Sequence, residues 1–223
     1  MVTPYYQDDY VTLYHGDCLD ILPNLPGITA LITDPPYGID YRTSSTRSNR
    51  SNAKNWEPIV GDGAAFDPSH LLGFPKVVLF GANHYADRLP ASPGWLVWDK
   101  LNGLESKREI GFNNSADVEM AWTNINKPAR LFSHRWMGLL RDSELHHKSL
   151  HPTQKPVALM RWVLLATTTA EDFICDPYAG SGATLVAAKE MGRKAVGVEL
   201  EERYCEVVAK RLSQDLLDLE WSA

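Results

Sequence analysis

Three clusters of residues have the types and spacing that chemistry requires. Asp34-Pro35-Pro36-Tyr37-Gly38 directly follows an apolar run, Thr29–Thr33. Successive prolines hold the backbone extended and remove two N–H donors, so the carbonyls there are fixed acceptors. A carboxylate beside a rigid carbonyl can accept both hydrogens of one exocyclic amine. The adjacent tyrosine offers a flat face on which a ring can stack. A polar turn closing a strand would use the same residues. The second cluster, Asp176-Pro177-Tyr178-Ala179-Gly180-Ser181-Gly182-Ala183-Thr184, lies between a strand pattern and a helix pattern. Gly180 and Gly182 let backbone approach a ligand, and the following helix aims its first N–H groups at it. Glu199 stands 17 residues beyond Gly182, close to the roughly 20-residue spacing at which an acid bonds ribose hydroxyls in a Rossmann-type unit. The glycines do not spell G-x-G-x-x-G and no lysine follows, which argues against a P-loop or a standard dinucleotide site. The third cluster, His151-Pro152-Thr153-Gln154-Lys155-Pro156, precedes a helix. Thr153 and Lys155 could hold an anion there; on its own the segment reads first as an N-cap by Thr153 with Pro156 in the first turn.

The elements that must carry these clusters are legible from hydrophobic patterning. Short strands are expected at Val11–Tyr14, Thr29–Thr33, Lys76–Gly81 and Trp95–Trp98, with a short helix over Cys18–Leu25. Asp117–Trp122 and Arg130–His134 read as a pair of adjacent strands. The last third reads as helix Pro156–Thr167, strand Phe173–Cys175, helix Gly182–Met191, strand Ala195–Val198 and amphipathic helix Glu201–Leu217. Strands alternating with helices make βαβ units, hence a parallel sheet with ligands at the carboxyl ends of its strands.

The chain has 223 residues, enough for one large domain or one domain with a small insertion, and 44% of them are apolar. A net charge of −6 excludes a broadly basic nucleic-acid coat. It leaves room for local basic faces. Tyr41–Trp56 carries Arg42, Arg47, Arg50 and Lys54 and no acid, and reads as a long mobile loop. Lys127–Lys155 holds six Lys or Arg against two Asp or Glu, whereas Glu199–Glu220 holds seven acids against three bases. Cys18, Cys175 and Cys205 are far apart with no CxxC pair, so neither a disulfide framework nor a cysteine zinc site is expected. No signal peptide is expected from MVTPYYQDDY, and the longest apolar stretch, around residues 157–166, is interrupted by Arg161.

Together the clusters resemble the amino-group DNA methyltransferases that use S-adenosylmethionine. DPPYG is similar to their catalytic motif, DPYAGSGAT to their cofactor loop and HPTQKP to the segment before it, while WLVWDK and VEMAW also look family-like. The catalytic motif precedes the glycine loop, as in the β group. The resemblance therefore implies a circularly permuted α/β, Rossmann-like methyltransferase fold, 1–223 being one domain with a small target-recognition insertion. It implies that Asp34 and the Pro35 carbonyl hold the target amine next to Pro36 and that Tyr37 stacks on the extruded base. It also implies that Glu199 bonds the cofactor ribose, that Asp176, Tyr178, Gly180 and Gly182 line its methionine side, and that Thr153 and Lys155 lie near its carboxylate. Asp17 would contact the adenine or simply cap a helix.

The implied partner is double-stranded DNA, contacted by a loop at 41–60 and by Arg135 and Lys148. Residues 101–115 and 134–150 are the recognition candidates. Family members with Asp at the first motif position mostly methylate adenine N6; cytosine N4 is the alternative, and RNA or a protein glutamine the distant one. A homodimer is expected, in the cytoplasm of a bacterium or a phage-infected host. The residues leave open whether a cognate restriction endonuclease accompanies the enzyme.

Overall fold

The computed structural model describes residues 2–40, 57–103, 116–137, 140–145 and 149–221. Arg42, Arg47, Arg50, Lys54 and Lys148, most of the expected loop at 41–60 and most of 101–115 lie outside the described residues.

Nine strands form one sheet in the order β1-β2-β11-β10-β3-β4-β6-β5-β7. They are β1 (Tyr6–Gln7), β2 (Val11–His15), β3 (Ala30–Thr33), β4 (Lys76–Phe80), β5 (Trp95–Asp99), β6 (Val118–Thr123), β7 (Arg130–Ser133), β10 (Ile174–Asp176) and β11 (Ala195–Glu199). A separate hairpin pairs β8 (Trp136–Met137) with β9 (Leu140–Arg141). The central strands β2, β11, β10, β3 and β4 run parallel. Every residue of β3, β10 and β11 is buried, as strands covered on both faces must be. Alternation splits the burial between two cores: Val78 and Phe80 of β4 face one, Val77 and Leu79 the other.

The first core is closed by helices α2 (Val157–Thr167), α3 (Ala183–Glu190) and α4 (Glu202–Trp221). Helix α4 contributes Cys205, Val208 and Leu212, a helical apolar stripe. The second core is closed by α1 (Cys18–Ile21) and by short 3-10 turns at Leu22–Asn24, Ser69–Leu71, Ala82–His84 and Ala86–Arg88. The helix expected over Cys18–Leu25 breaks into α1 and a 3-10 turn where Pro23 removes an N–H.

Chain direction decides where ligands can sit. From β3 the chain crosses over to β4; from β10 it crosses the opposite way to β11. The carboxyl ends of β3 and β10 therefore flank the topological switch point, where doubly wound sheets bind ligands. One sequence expectation is corrected here. The strands at 117–122 and 130–134 are not neighbours, because β5 lies between them, antiparallel to β6 and parallel to β7. The burial explains it: β6 ends in three buried residues and is paired on both sides, whereas β7 is mostly exposed, begins with Arg130 and suits the sheet edge. Among the described residues no helix is long and apolar enough to cross a membrane.

Lys189, at the end of α3, ties the outer layers together. Its ammonium donates to Asp8 Oδ2 in the β1–β2 turn and to the Leu212 carbonyl of α4, both at 2.6 Å. Lys189→Met removes the charged donor from both, while Asp8 keeps the Tyr6 hydroxyl and two backbone N–H groups, so urea unfolding should show a loss of about 2 kcal/mol. An unchanged midpoint would remove this clamp from the account.

Candidate active site

At the carboxyl end of β3 the chain turns through Asp34, Pro35, Pro36 and Tyr37. Asp34 Oδ1 accepts from the Tyr37 hydroxyl. Asp34 Oδ2 is 2.5 Å from Lys155 Nζ, which also lies 3.0 Å from Glu119 Oε2. Glu119 Oε1 in turn accepts from Lys100 Nζ at 3.0 Å. The four charges alternate in sign along a row that draws on β3, the segment before α2, β6 and the residue after β5. Antiparallel β6 makes this possible, because its first residues reach the sheet edge where the parallel strands end, and Glu119 sits opposite Trp98.

Burial raises the Asp34 pKa, and Lys155 offsets only part of that against the added charge of Glu119. For Glu119 burial acts the same way, but the ammoniums of Lys155 and Lys100 overcome it and hold its pKa to about 2. Burial disfavours the Lys155 ammonium, and the two carboxylates more than reverse that. Lys155 is thus a buried cation between two anions.

Tyr37 lies flat against His84, with ring centroids 5.1 Å apart and planes 13° from parallel. Its ring edge fills the space over Gly81, where a Cβ would fall 1.9 Å from the ring. Pro35 is buried, and its carbonyl accepts no hydrogen bond among the described residues.

The glycine turn sits across the switch point. Thr33 Oγ1 donates to Asp176 Oδ1 at 2.6 Å, bridging β3 and β10. Burial pushes Asp176 up to about 6 despite hydrogen bonds from Thr184, Thr33 and Tyr178. Glu199, ending β11, accepts from the Gly180 N–H at 2.7 Å and the Glu201 N–H at 2.8 Å. Burial still lifts it to about 7. Carboxyls shifted this far in a crevice are functional-site candidates. The Gly16 N–H donates to the Glu199 carbonyl, which brings the end of β2 alongside.

The structure gives several sequence-derived positions partners within the protein, and the cap at Thr153 is corrected. Lys155 grips Asp34 and Glu119. Thr153 is no N-cap: it bonds His151 Nδ1 through its N–H and hydroxyl, each at 3.2 Å. Pro156 precedes the first helical residue, and the Val157 N–H is capped by Glu144 Oε1 at 2.9 Å from the remote β9 side. Gly182 gives its space to protein, since a Cβ there would meet the Val208 methyls of α4 at 2.9 Å. Tyr178 points toward α1, with its hydroxyl 3.1 Å from His70 Nε2 and its ring edge-on to Phe66. Asp17 caps α1 through the Leu19 N–H at 2.9 Å, the second of the two roles its position allowed. Arg135 forks onto Asp142, with Nη2 2.9 Å from Oδ1. His151 is pushed down to about 4 by burial and by the charges of Lys155 and Arg203, so it is neutral at pH 7.

Sequence reasoning missed Glu119, Lys100, His84, Glu144 and Asp62. Asp62 Oδ1 accepts the Gly38 N–H at 2.8 Å and fixes the turn after Tyr37. The one local signal was a glutamate inside the apolar run VEMAW. The seat of Tyr37 is directly testable. Gly81→Ala must displace the ring and strain a left-handed backbone (φ +66°), and should cost about 2 kcal/mol in chemical unfolding. A neutral result would show that Tyr37 is not seated there.

Residues 94–211, just over half of the chain, match the model of the N6/N4 methyltransferase family described as DNA methylase. The chain is 27% identical to the type II methyltransferase M.ScaI of Streptomyces caespitosus, across 97% of its own length and 86% of the relative. It is 24% identical to the type II methyltransferase M2.LlaDCHI of Lactococcus lactis subsp. cremoris, with 96% and 93% covered. Among solved structures, PvuII DNA methyltransferase (cytosine-N4-specific) superposes with a TM-score of 0.64 at 16% identity, covering 94% of this chain and 89% of that one. The M1.HpyAVI–SAM complex does so with 0.57 at 22%, covering 91% and 98%. The chain belongs to the N6/N4 DNA methylase family.

Proposed function

We propose that this member of the family transfers the methyl group of S-adenosylmethionine to the N6 amine of an adenine turned out of a DNA duplex. One observation carries the reading: Asp34, beside an open proline carbonyl, ends β3 directly across the switch point from the glycine turn and Glu199. The residues of that turn suit the cofactor. Glu199 is a buried carboxylate able to accept ribose hydroxyls, and Asp176, Gly180 and Gly182 shape the turn between β10 and α3. Tyr178 and Asp17 lie together on the α1 side, where they suit the adenine end. When bound, the cofactor would supply an activated methyl on a sulfonium, leaving as the neutral thioether, and the methylated nitrogen would then give up one N–H proton to solvent.

The protein's part is to make a poor nucleophile able to attack. The amine lone pair is delocalised into the ring. Fixed acceptors for both N–H groups favour the pyramidal nitrogen of the transition state and little else, so their effect falls on the rate. Asp34 and the Pro35 carbonyl supply those acceptors, and burial keeps their dipoles strong. His84 already shows that a planar ring can lie flat on Tyr37; a target base would be held in the same way. Adenine is preferred because the first motif position is Asp, and this rests on family likeness.

Turning a base out costs a few kcal/mol, which phosphate contacts must offset. We assign these to Arg42, Arg47, Arg50 and Lys54 of the 41–60 loop and to Arg135 and Lys148 beside the 101–115 and 134–150 segments. The type II label carried by both curated relatives supports a setting with a cognate endonuclease.

Labelled S-adenosylmethionine, unmethylated DNA and nucleoside mass spectrometry test the reading. N6-methyladenine is the expected product. N4-methylcytosine would overturn the base assignment, and DNA left unlabelled by cofactor-binding protein would overturn the substrate. Cofactor binding should also titrate. Glu199, near 7 in the free protein, must be ionised to accept two hydroxyls, so binding lowers its pKa. Protonation of the free form then competes: the dissociation constant rises as pH falls below about 7, by up to about tenfold per unit. Glu199→Gln should flatten that slope; a slope surviving in the variant would assign the titration elsewhere.

A further inference from the structure

The charged row that holds Asp34 also obstructs it. Asp34 Oδ1 carries the Tyr37 hydroxyl and Oδ2 the Lys155 ammonium. A nitrogen receiving a methyl at Asp34 becomes positive, and a buried ammonium touching the same carboxylate would repel it. Yet Lys155 has somewhere to go. Glu119 Oε2 is a buried side-chain oxygen with no hydrogen-bond partner among the described residues. It already lies 3.0 Å from Lys155 Nζ in an ion pair, while the same ammonium sits 2.5 Å from Asp34 Oδ2. A buried carboxylate oxygen whose nearest donor is shared with a second carboxylate has room for a stronger hydrogen bond to it.

We propose that Glu119 and Lys155 are positioning residues for methyl transfer: as the target amine reaches Asp34, the Lys155 ammonium, which bridges both carboxylates in the empty pocket, leaves Asp34 and swings wholly onto Glu119 Oε2. This rests on the reading of Asp34 as the amine's acceptor. The swing needs no backbone motion. Gln154, next to Lys155, is pinned through its side chain to Glu144 at 3.0 Å and to the Leu150 N–H at 2.8 Å, and through its carbonyl to Trp136 at 3.1 Å. Glu119 is fixed in turn by Lys100 on its other oxygen. The Phe80 and Tyr37 rings, 5.7 and 5.9 Å from Nζ, keep the cation in favourable surroundings in both positions. Asp34 is thereby charged and shielded while the pocket is empty. It is released when the amine arrives, and the positive charge stays within the pocket without facing the reacting nitrogen.

The test is single-turnover methylation by wild type, Glu119→Gln and the double variant Glu119→Gln/Lys155→Met, with cofactor and DNA affinities measured alongside. Glutamine keeps the shape of Glu119 but offers Lys155 no counter-charge, so the ammonium stays on Asp34. The rate should fall about 10- to 100-fold, while both affinities hold within about twofold. Deleting the ammonium in the double variant should recover about tenfold of that loss, which a merely structural role for Lys155 would not produce. An unaffected Glu119→Gln, or a double variant no faster than the single one, overturns the swing. Wild-type protein that methylates no DNA overturns the underlying reading instead. Should the variants not fold, a structure of the wild-type protein with its methylatable duplex and a cofactor analogue decides: Lys155 on Glu119 and withdrawn from Asp34 supports the swing, and Lys155 still on Asp34 with the base seated refutes it.

Discussion

A mostly shielded carboxylate at the end of a fully buried strand is the constraint on which this structure turns. Asp34 sits where β3 leaves the sheet, and an isolated charge there would be costly enough to protonate or to unfold the turn. Its partners come from far along the chain: Lys155 from the segment before α2, Glu119 from β6 and Lys100 from beyond β5. Each ion neutralises the next. Removing any one would strand its neighbour in a low-dielectric site, which is more damaging than the pair is stabilising. The row therefore fixes how the antiparallel part of the sheet and the α2 segment meet the parallel core.

The second constraint is the switch point. Opposite crossovers from β3 and β10 open a crevice at their carboxyl ends, and the Thr33–Asp176 hydrogen bond closes its floor. Asp34 and the glycine turn thus face each other because of topology, although 142 positions separate Asp34 from Asp176. Two carboxyls beside the crevice, Asp176 at the end of β10 and Glu199 at the end of β11, are lifted to about 6 and about 7 by burial. Such shifts are tolerated where a ligand is to supply the missing donors.

Much of this was legible in the sequence, for physical reasons that particular residues show. Parallel strands buried on both faces read as continuous apolar runs, so β3, β4, β10 and β11 stood out, and the motifs at their ends could be placed. What failed was what long-range pairing decides. Nothing local says that β5 inserts between β6 and β7, or that antiparallel β6 brings Glu119 to Lys155. Thr153 looked like a helix cap because Ser and Thr commonly are, whereas the cap arrives from Glu144 in a different segment. Gly182 read as a ligand glycine, and nothing local showed that its missing side chain also makes room for Val208. His84 gave no signal, since its role is a face presented to Tyr37 by a short 3-10 turn.

The central claim is that the Asp34 carboxylate acts on the amine during transfer. Single-turnover methylation by Asp34→Asn, which keeps the shape and removes the charge, tests it most directly when cofactor and DNA are both saturating. The account predicts a fall in the chemical rate of about 10²-fold or more with both ligands still bound. A rate within a few-fold of wild type would contradict it.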